Sequence, residues 1–136
     1  MNEIEVISRG VYVHKNRLLT CKISRMPSSY YLPGGHVEFG ETLAQALQRE
    51  WQEELACSCK VGKFLQFFEG HFTDAQQGPC HEYSFLFLVD SPELPNDDFQ
   101  SPTEPKLSFH WIPIHELSSA QLLPLPARDY LVNVLH

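Results

Sequence analysis

No excess of basic residues, no CxxC pair and no long apolar run occur in this 136-residue sequence. The formal net charge of −7 argues against a general binder of nucleic-acid polymers or membrane surfaces. The longest apolar stretch, residues 83–89, is too short for a transmembrane helix, which needs roughly 20 residues. Residues 1–5 lack the basic and apolar pattern of a signal peptide. We therefore expect a cytoplasmic protein with a small-molecule partner.

Four cysteines are present, at positions 21, 57, 59 and 80. Without a CxxC pair a structural zinc site is not indicated, and free thiols in a reducing cytosol are the favoured interpretation. His71, His81 and Cys80 share one polar segment, residues 69–82, which could in principle collect a metal. Their spacing is not that of a helical metal motif, so the sequence disfavours zinc here.

The composition, 43% hydrophobic and 20% charged, fits one globular domain covering residues 1–136. Apolar and β-branched patterning predicts strands separated by turns, at residues 6–14, 18–23, 30–32, 61–68, 83–89 and 107–112. Residues 6–14 and 18–23 should form an N-terminal hairpin, and residues 69–82 and 90–105 should be surface loops. A helix is predicted at residues 42–55, and Pro126 suits the first turn of another. Mixed elements without regular βαβ alternation favour an α/β (α+β) fold with helices on both faces of a mixed sheet.

The helix at residues 42–55 carries three glutamates beside its apolar stripe. At about 100° per residue, Leu43 and Trp51 lie on the stripe, while Glu50 and Glu54 fall at its edge and Glu53 on the same flank. Carboxylates are rarely buried unpaired, and three at this spacing repel one another unless a cation lies between them. A divalent metal ion is the simplest explanation.

From Gly35 to Cys57 the sequence resembles the Nudix hydrolase signature, G-x5-E-x7-R-E-U-x-E-E-x-G-U, where U is aliphatic. The first glycine and all charged positions match, at Gly35, Glu41, Arg49, Glu50, Glu53 and Glu54. Residues 32–34 resemble the usual lead-in, and residues 109–113 resemble a last-strand tryptophan motif. Three positions depart from the signature, namely Trp51, Ala56 and Cys57. Ala56 replaces the glycine that eases a left-handed helix end, so the turn after the helix is the part placed in question.

The resemblance implies an α/β/α sandwich that hydrolyses a pyrophosphate bond in a nucleoside diphosphate linked to another moiety. It implies Mg²⁺ as cofactor, with Mn²⁺ as substitute, because hard cations with oxygen ligands neutralise pyrophosphate and acidify a bound water. The metal ligands carried over by position are the Gly34 carbonyl, Glu50, Glu53 and Glu54. The catalytic set comprises Glu53, Glu50, Arg49 and Glu41, with Glu41 and Arg49 forming a buried pair that orients the ligands.

The general base is not decided by the sequence. Glu53 is the first choice, and Glu82 and Glu104 are alternatives on later segments. Candidate substrate contacts are Arg25, Tyr31, His81 and Glu82. For each of these an ordinary surface or packing role competes with the functional one.

Two readings of function remain open. The first is an active pyrophosphohydrolase acting on a nucleoside triphosphate or an ADP-ribose-like substrate. The second is a catalytically inactive nucleotide-binding or regulatory module, which the unaltered glutamates disfavour. An mRNA-decapping activity would call for a basic RNA path, which the composition does not provide. The sequence does not decide between a monomer and the homodimer common among relatives.

Overall fold

The computed structural model describes residues 3–135. It contains two α-helices, α1 (Leu43–Leu55) and α2 (Leu125–Val134), and a 3₁₀ helix, Ile114–Ser119. The strands in chain order are β1 (Ile4–Val11), β2 (Val13–His14), β3 (Arg17–Ile23), β4 (Tyr30–Tyr31), β5 (Gly34–His36), β6 (Lys60–Asp74), β7 (Gly78–Asp90), β8 (Phe99–Gln100), β9 (Leu107–Pro113) and β10 (Leu122–Leu123). Neither α-helix has the length and apolar character needed to cross a bilayer.

The strands form two sheets. The first has the order β5-β1-β7-β6 and is mixed, because β1 and β7 are parallel while the outer pairs are antiparallel. The second has the order β10-β4-β3-β9-β8, with β2 paired to β3. One apolar cluster contains Trp51 of α1, and another contains Leu131 of α2. The predicted class of a mixed sheet with helices on both sides is confirmed, although the strands are divided over two sheets.

A capped first turn and an apolar face hold helix α1 in place. Thr42 is the N-cap, and its side chain and that of Gln45 exchange hydrogen bonds with each other's backbone N–H. Leu47 and Trp51 are fully buried, each contributing roughly 2–3 kcal/mol through apolar burial. The Trp51 ring lies against Gly10 of β1, where an added Cβ would be only 2.9 Å from it. The first sheet therefore holds α1 at a fixed distance and rotation.

Two predictions about the strands are wrong. Residues 69–82 are not a loop, because β6 and β7 pair along their length as far as Asp74 and Gly78. The expected hairpin of residues 6–14 with 18–23 is limited to β2 and β3, since the chain passes from the first sheet to the second around Tyr12. The pattern of alternating polar and apolar residues could not separate a solvent-exposed hairpin from a loop.

Candidate active site

Two glycines bring α1 against the strands. Gly34 has φ +143°, a backbone conformation that favours glycine, and an added Cβ would collide with the Ser8 carbonyl oxygen. At Gly35 an added Cβ would collide with the Glu50 carboxylate. Since β5 pairs with β1 at this point, a helix carboxylate and a strand backbone meet where no side chain intervenes.

Arg49 binds the surrounding carboxylates from the centre of the site. Its Nε and Nη2 atoms donate to the two oxygens of Glu41 at 2.7 and 3.0 Å. Its Nη1 donates to Glu50 at 3.0 Å and contacts both oxygens of Glu53 at 3.2 and 3.3 Å. Nη2 also donates to the His36 carbonyl at 2.9 Å. The Glu41–Arg49 pair is thus present, and it is partly rather than fully buried.

Glu50 and Glu54 carry an electrostatic cost that Arg49 does not remove. Burial is the main cause that raises the pKa of Glu50, with Arg49 acting in the opposite direction. Burial, followed by the charge of Glu50, raises the pKa of Glu54 to about 8, and Arg9 and the Gly34 backbone offset this only in part. Burial therefore disfavours the charged form of both carboxyls, and a further cation beside them would offset this cost.

Glu53 differs from these two, because 57% of its side chain is exposed and its contact is with Arg49 at the surface. Behind it, Thr103 Oγ1 donates to the Glu53 carbonyl and Ser101 Oγ donates to the Glu54 carbonyl at 2.6 Å. These hydroxyls satisfy last-turn carbonyls that the helix itself leaves unpaired. The loop between β8 and β9 is thereby fixed to the C-terminal end of α1, and Glu104 comes directly after Thr103.

The structure adds Arg9 and Ser84, which the sequence analysis did not single out. Arg9 Nη1 donates to the Leu32 carbonyl at 2.8 Å, and the guanidinium lies 5.8 Å from the centre of the Tyr31 ring. Within residues 3–135, Arg9 Nε and Ser84 Oγ are the buried side-chain atoms without a hydrogen-bond partner. They lie on the same face of adjacent strands, since Arg9 is level with Leu86, two residues beyond Ser84. An arginine in the middle of a predicted strand was the available sequence signal.

The four predicted substrate residues do not converge on one place. Glu82 shares its strand face with Arg9, and burial raises its pKa. Tyr31 is half-buried beside Arg9, and its hydroxyl contacts the Met26 sulfur. His81 is adjacent to Glu82 in the strand and therefore points to the opposite face. Arg25 forms an ion pair with Asp74 at 3.0 Å, between the end of β3 and the tip of the β6–β7 hairpin.

Comparisons with known proteins identify the family of this chain. A family model described as NUDIX domain matches residues 5–133. The chain belongs to the NUDIX domain family. A Caenorhabditis elegans relative assigned by name to the nudix hydrolases is 29% identical over 75% of this chain and 25% of its own length. The ADP-ribose pyrophosphatase of Methanocaldococcus jannaschii is 32% identical over 74% of this chain and 64% of its own length. The chain thus spans less than two thirds of each of these relatives.

A solved structure extends the likeness over almost the whole chain. The MutT NUDIX hydrolase from Burkholderia pseudomallei is 25% identical, with a TM-score of 0.74, and the match covers 98% of this chain and 99% of that one. Against the Nudix signature, Ala56 nevertheless adopts the left-handed conformation of the missing glycine, at φ 56°. The helix end is therefore formed as the signature requires, with an alanine bearing the strain.

The donor chemistry of the site fits a hard divalent ion. Glu50, Glu53 and Glu54 offer carboxylate oxygens, and Gly34, the first residue of β5, offers a backbone oxygen without a side chain in the way. The raised pKa values of Glu50 and Glu54 indicate carboxylates that a cation would stabilise. Nudix hydrolases generally use divalent metal ions, which is consistent with this donor set.

Proposed function

We propose that this Nudix chain catalyses the Mg²⁺-dependent hydrolysis of a pyrophosphate bond in a nucleoside diphosphate linked to another moiety. The observation that carries the proposal is the Arg49 cluster, in which one guanidinium binds Glu41, Glu50 and Glu53. A purely structural role for Arg49 would not explain why two neighbouring carboxyls, Glu50 and Glu54, both have raised pKa values. Perturbed pKa values of this kind are typical of functional sites.

The ligands would be Glu50, Glu53, Glu54 and the Gly34 carbonyl, for Mg²⁺ or, as a substitute, Mn²⁺. When bound, the ion supplies positive charge for the pyrophosphate and lowers the pKa of a bound water. Glu41 and Arg49 fix the rotamers of the ligand carboxylates through the hydrogen bonds described above.

Glu53 is our assignment for the group that takes the proton from the attacking water. Its exposed side chain has room to move, whereas Glu50, with 17% of its side chain exposed, is held by Arg49 and lies against the backbone of Gly35 in β5. Glu104, next to the Thr103 contact, and Glu82, beside Arg9, stay as alternative bases. Replacing each by glutamine and comparing pH–rate profiles would distinguish the three.

The substrate cleft in this proposal lies on the face that carries Arg9. A guanidinium with one buried unpaired nitrogen suits a phosphate oxygen, and the Tyr31 ring beside it offers a stacking surface for a base. The named relative from Methanocaldococcus jannaschii makes ADP-ribose the first substrate to test, followed by nucleoside triphosphates. The free thiols of all four cysteines fit the cytoplasmic location that we propose.

The test is hydrolysis by the purified chain with Mg²⁺, Mn²⁺ or a chelator, on ADP-ribose and a nucleoside triphosphate panel. Release of AMP with ribose phosphate, or of a nucleoside monophosphate with pyrophosphate, identifies the bond cleaved. Glu116→Gln is a matched control, since Glu116 is an exposed carboxylate outside the cluster. If nucleotides bind and none is cleaved with either metal, the inactive binding-module alternative replaces this proposal.

A further inference from the structure

A second cluster of metal-ligand residues lies on the β6–β7 hairpin. Glu69 is directly opposite Tyr83, and His71 is directly opposite His81, so all four side chains share one face of the hairpin. Glu69 Oε2 is 2.8 Å from His81 Nε2, 3.3 Å from His71 Nε2 and 3.0 Å from the Tyr83 hydroxyl. The two imidazole rings stack with centroids 3.9 Å apart.

These distances resemble those between ligands that share one ion. Zinc bonds of 2.0–2.2 Å in a tetrahedron place neighbouring ligand atoms about 3.4 Å apart. The ligand atoms of Glu69, His71 and His81 all lie within 4.8 Å of one another. A single carboxylate oxygen also has fewer lone pairs than the three donors gathered around Glu69 Oε2. Small side-chain movements would let one cation satisfy the carboxylate and both imidazoles.

We propose that Glu69, His71 and His81 form a binding site for Zn²⁺, separate from the glutamate cluster of α1. Two imidazole nitrogens and one carboxylate are a ligand set that suits zinc, whereas the all-oxygen set on α1 suits Mg²⁺. Tyr83, by donating to Glu69, holds the carboxylate in place as outer partners of metal ligands commonly do.

Pairing of the strands provides this site and also excludes one residue from it. In the sequence, Cys80 was grouped with both histidines, but it is adjacent to His81 in β7 and so points to the other face. Its thiol instead donates to the Gly78 carbonyl at 3.4 Å. The site therefore has three protein ligands and leaves room for water, because 67% of the His71 side chain and 29% of the His81 side chain are exposed.

Zinc bound here would join the two strands next to their turn. His71 and His81 lie ten residues apart in the chain and only three register pairs from Asp74 and Gly78, where the paired strands end. The Arg25–Asp74 ion pair fixes the same tip to the end of β3. We expect zinc to slow hydrogen exchange of the hairpin amides between these positions, without a comparable effect on α2.

The experiment titrates the full chain with Zn²⁺ in saturating Mg²⁺ and follows histidine ring signals by NMR. Binding should shift the signals of His71 and His81 together, and Co²⁺ at the same site should give the visible absorption of nitrogen-ligated, low-coordinate cobalt. His71→Ala and His81→Ala should each weaken zinc binding by about tenfold or more, and Tyr83→Phe by less. His115→Ala is the matched control, because His115 also lies beside a glutamate, at 3.7 Å, but without a second imidazole.

The proposal is overturned if zinc shifts neither ring signal, or if both alanine variants bind zinc as tightly as the His115→Ala control. Occupation of the α1 glutamates alone would appear as zinc binding that Glu54→Gln removes and His71→Ala does not. Because the NMR signals come from the unmodified chain, the result does not depend on any variant folding.

Discussion

The α1 glutamate cluster and the hairpin cluster around Glu69 use similar groups and have opposite electrostatics. On α1, burial raises the pKa of Glu50 in spite of Arg49, and that of Glu54 in spite of Arg9. On the hairpin, hydrogen bonds from His81, Tyr83 and His71 lower the pKa of the exposed Glu69 carboxyl. Burial therefore outweighs a hydrogen-bonded cation in one place, and hydrogen bonds prevail in the other because water still solvates the carboxylate.

This difference has a consequence for what each cluster can bind. The partly buried carboxylates of α1 are destabilised in the absence of a cation, so a hard ion such as Mg²⁺ relieves a cost that is already present. The hairpin cluster is stable on its own, so an ion there must compete with satisfied hydrogen bonds. An ion such as zinc can compete because it binds imidazole nitrogens well. The following predictions test this contrast.

Glu54→Gln should have the largest effect. Losing one metal ligand should lower turnover by about a thousandfold, because metal stabilisation of the transition state is worth several kcal/mol. The measurement is steady-state hydrolysis of the best substrate with Mg²⁺, next to Glu116→Gln as control. Circular dichroism should give the same fold for both variants. Near wild-type turnover by a folded Glu54→Gln protein would contradict the assignment of the metal site to α1.

The metal-free chain should lose stability as pH rises through the titration of Glu54. A carboxyl whose pKa is raised to about 8 binds more protons in the folded state, so the free energy of unfolding falls from about pH 5 and levels off above pH 8. At about 1.4 kcal/mol per pKa unit, a rise of this pKa from 4.5 to about 8 corresponds to a loss on the order of 5 kcal/mol. Urea unfolding of the metal-free wild type and Glu54→Gln should converge at pH 5 and differ at pH 8, with the variant more stable.

Glu69 should behave in the opposite sense. Its pKa is lowered in the folded state, so its contribution to stability is present above the ordinary value and is lost as the pH falls through the lowered one. Glu69→Gln should therefore be less stable than the wild type near neutral pH and approach it in acid. The same direction of pH dependence for Glu54 and Glu69 would contradict the contrast between the two clusters.

Ser101→Ala should loosen the anchorage of α1. Ser101 is buried, donates to the Glu54 carbonyl and accepts from the Glu104 backbone, so its loss should cost about 2 kcal/mol. Ser119→Ala is the matched control, since Ser119 makes a similar contact to the Glu116 carbonyl at the surface. Urea unfolding measures both. Equal effects would mean that the loop does not hold the helix end.

Ala56→Gly should have the smallest effect on stability. It should stabilise the protein, although a change to glycine usually destabilises one. Because Ala56 has φ 56°, glycine removes strain of about 1 kcal/mol, less the entropy that it adds to the unfolded chain. We expect a stabilisation of a few tenths to about 1 kcal/mol in thermal unfolding. Destabilisation would show that the Ala56 methyl group contributes to packing.

Sequence patterns predicted most of the site on α1 because its residues are local. The capping residue Thr42, the apolar face with Leu47 and Trp51, and the Arg49–Glu41 pair all fall within one helix and its leading turn. The hairpin was not predicted because residues 69–82 are polar and exposed, and a strand without a buried face has no periodic signal. Arg9 was missed because its significance depends on Leu32 and Tyr31, which are distant in sequence.

The sequence by itself determined the spacing of Gly35, Glu41, Arg49, Glu50, Glu53 and Glu54, and with it the helix that carries the carboxylates. Spacing is enough for this because a helix places residues three and four apart on one side whatever surrounds it. Tertiary structure alone decided which carboxyls are buried, which strand faces Arg9 and Glu82 share, and that His71 meets His81. Those facts depend on sheet register, since a shift of one residue would turn each of these side chains to the other face.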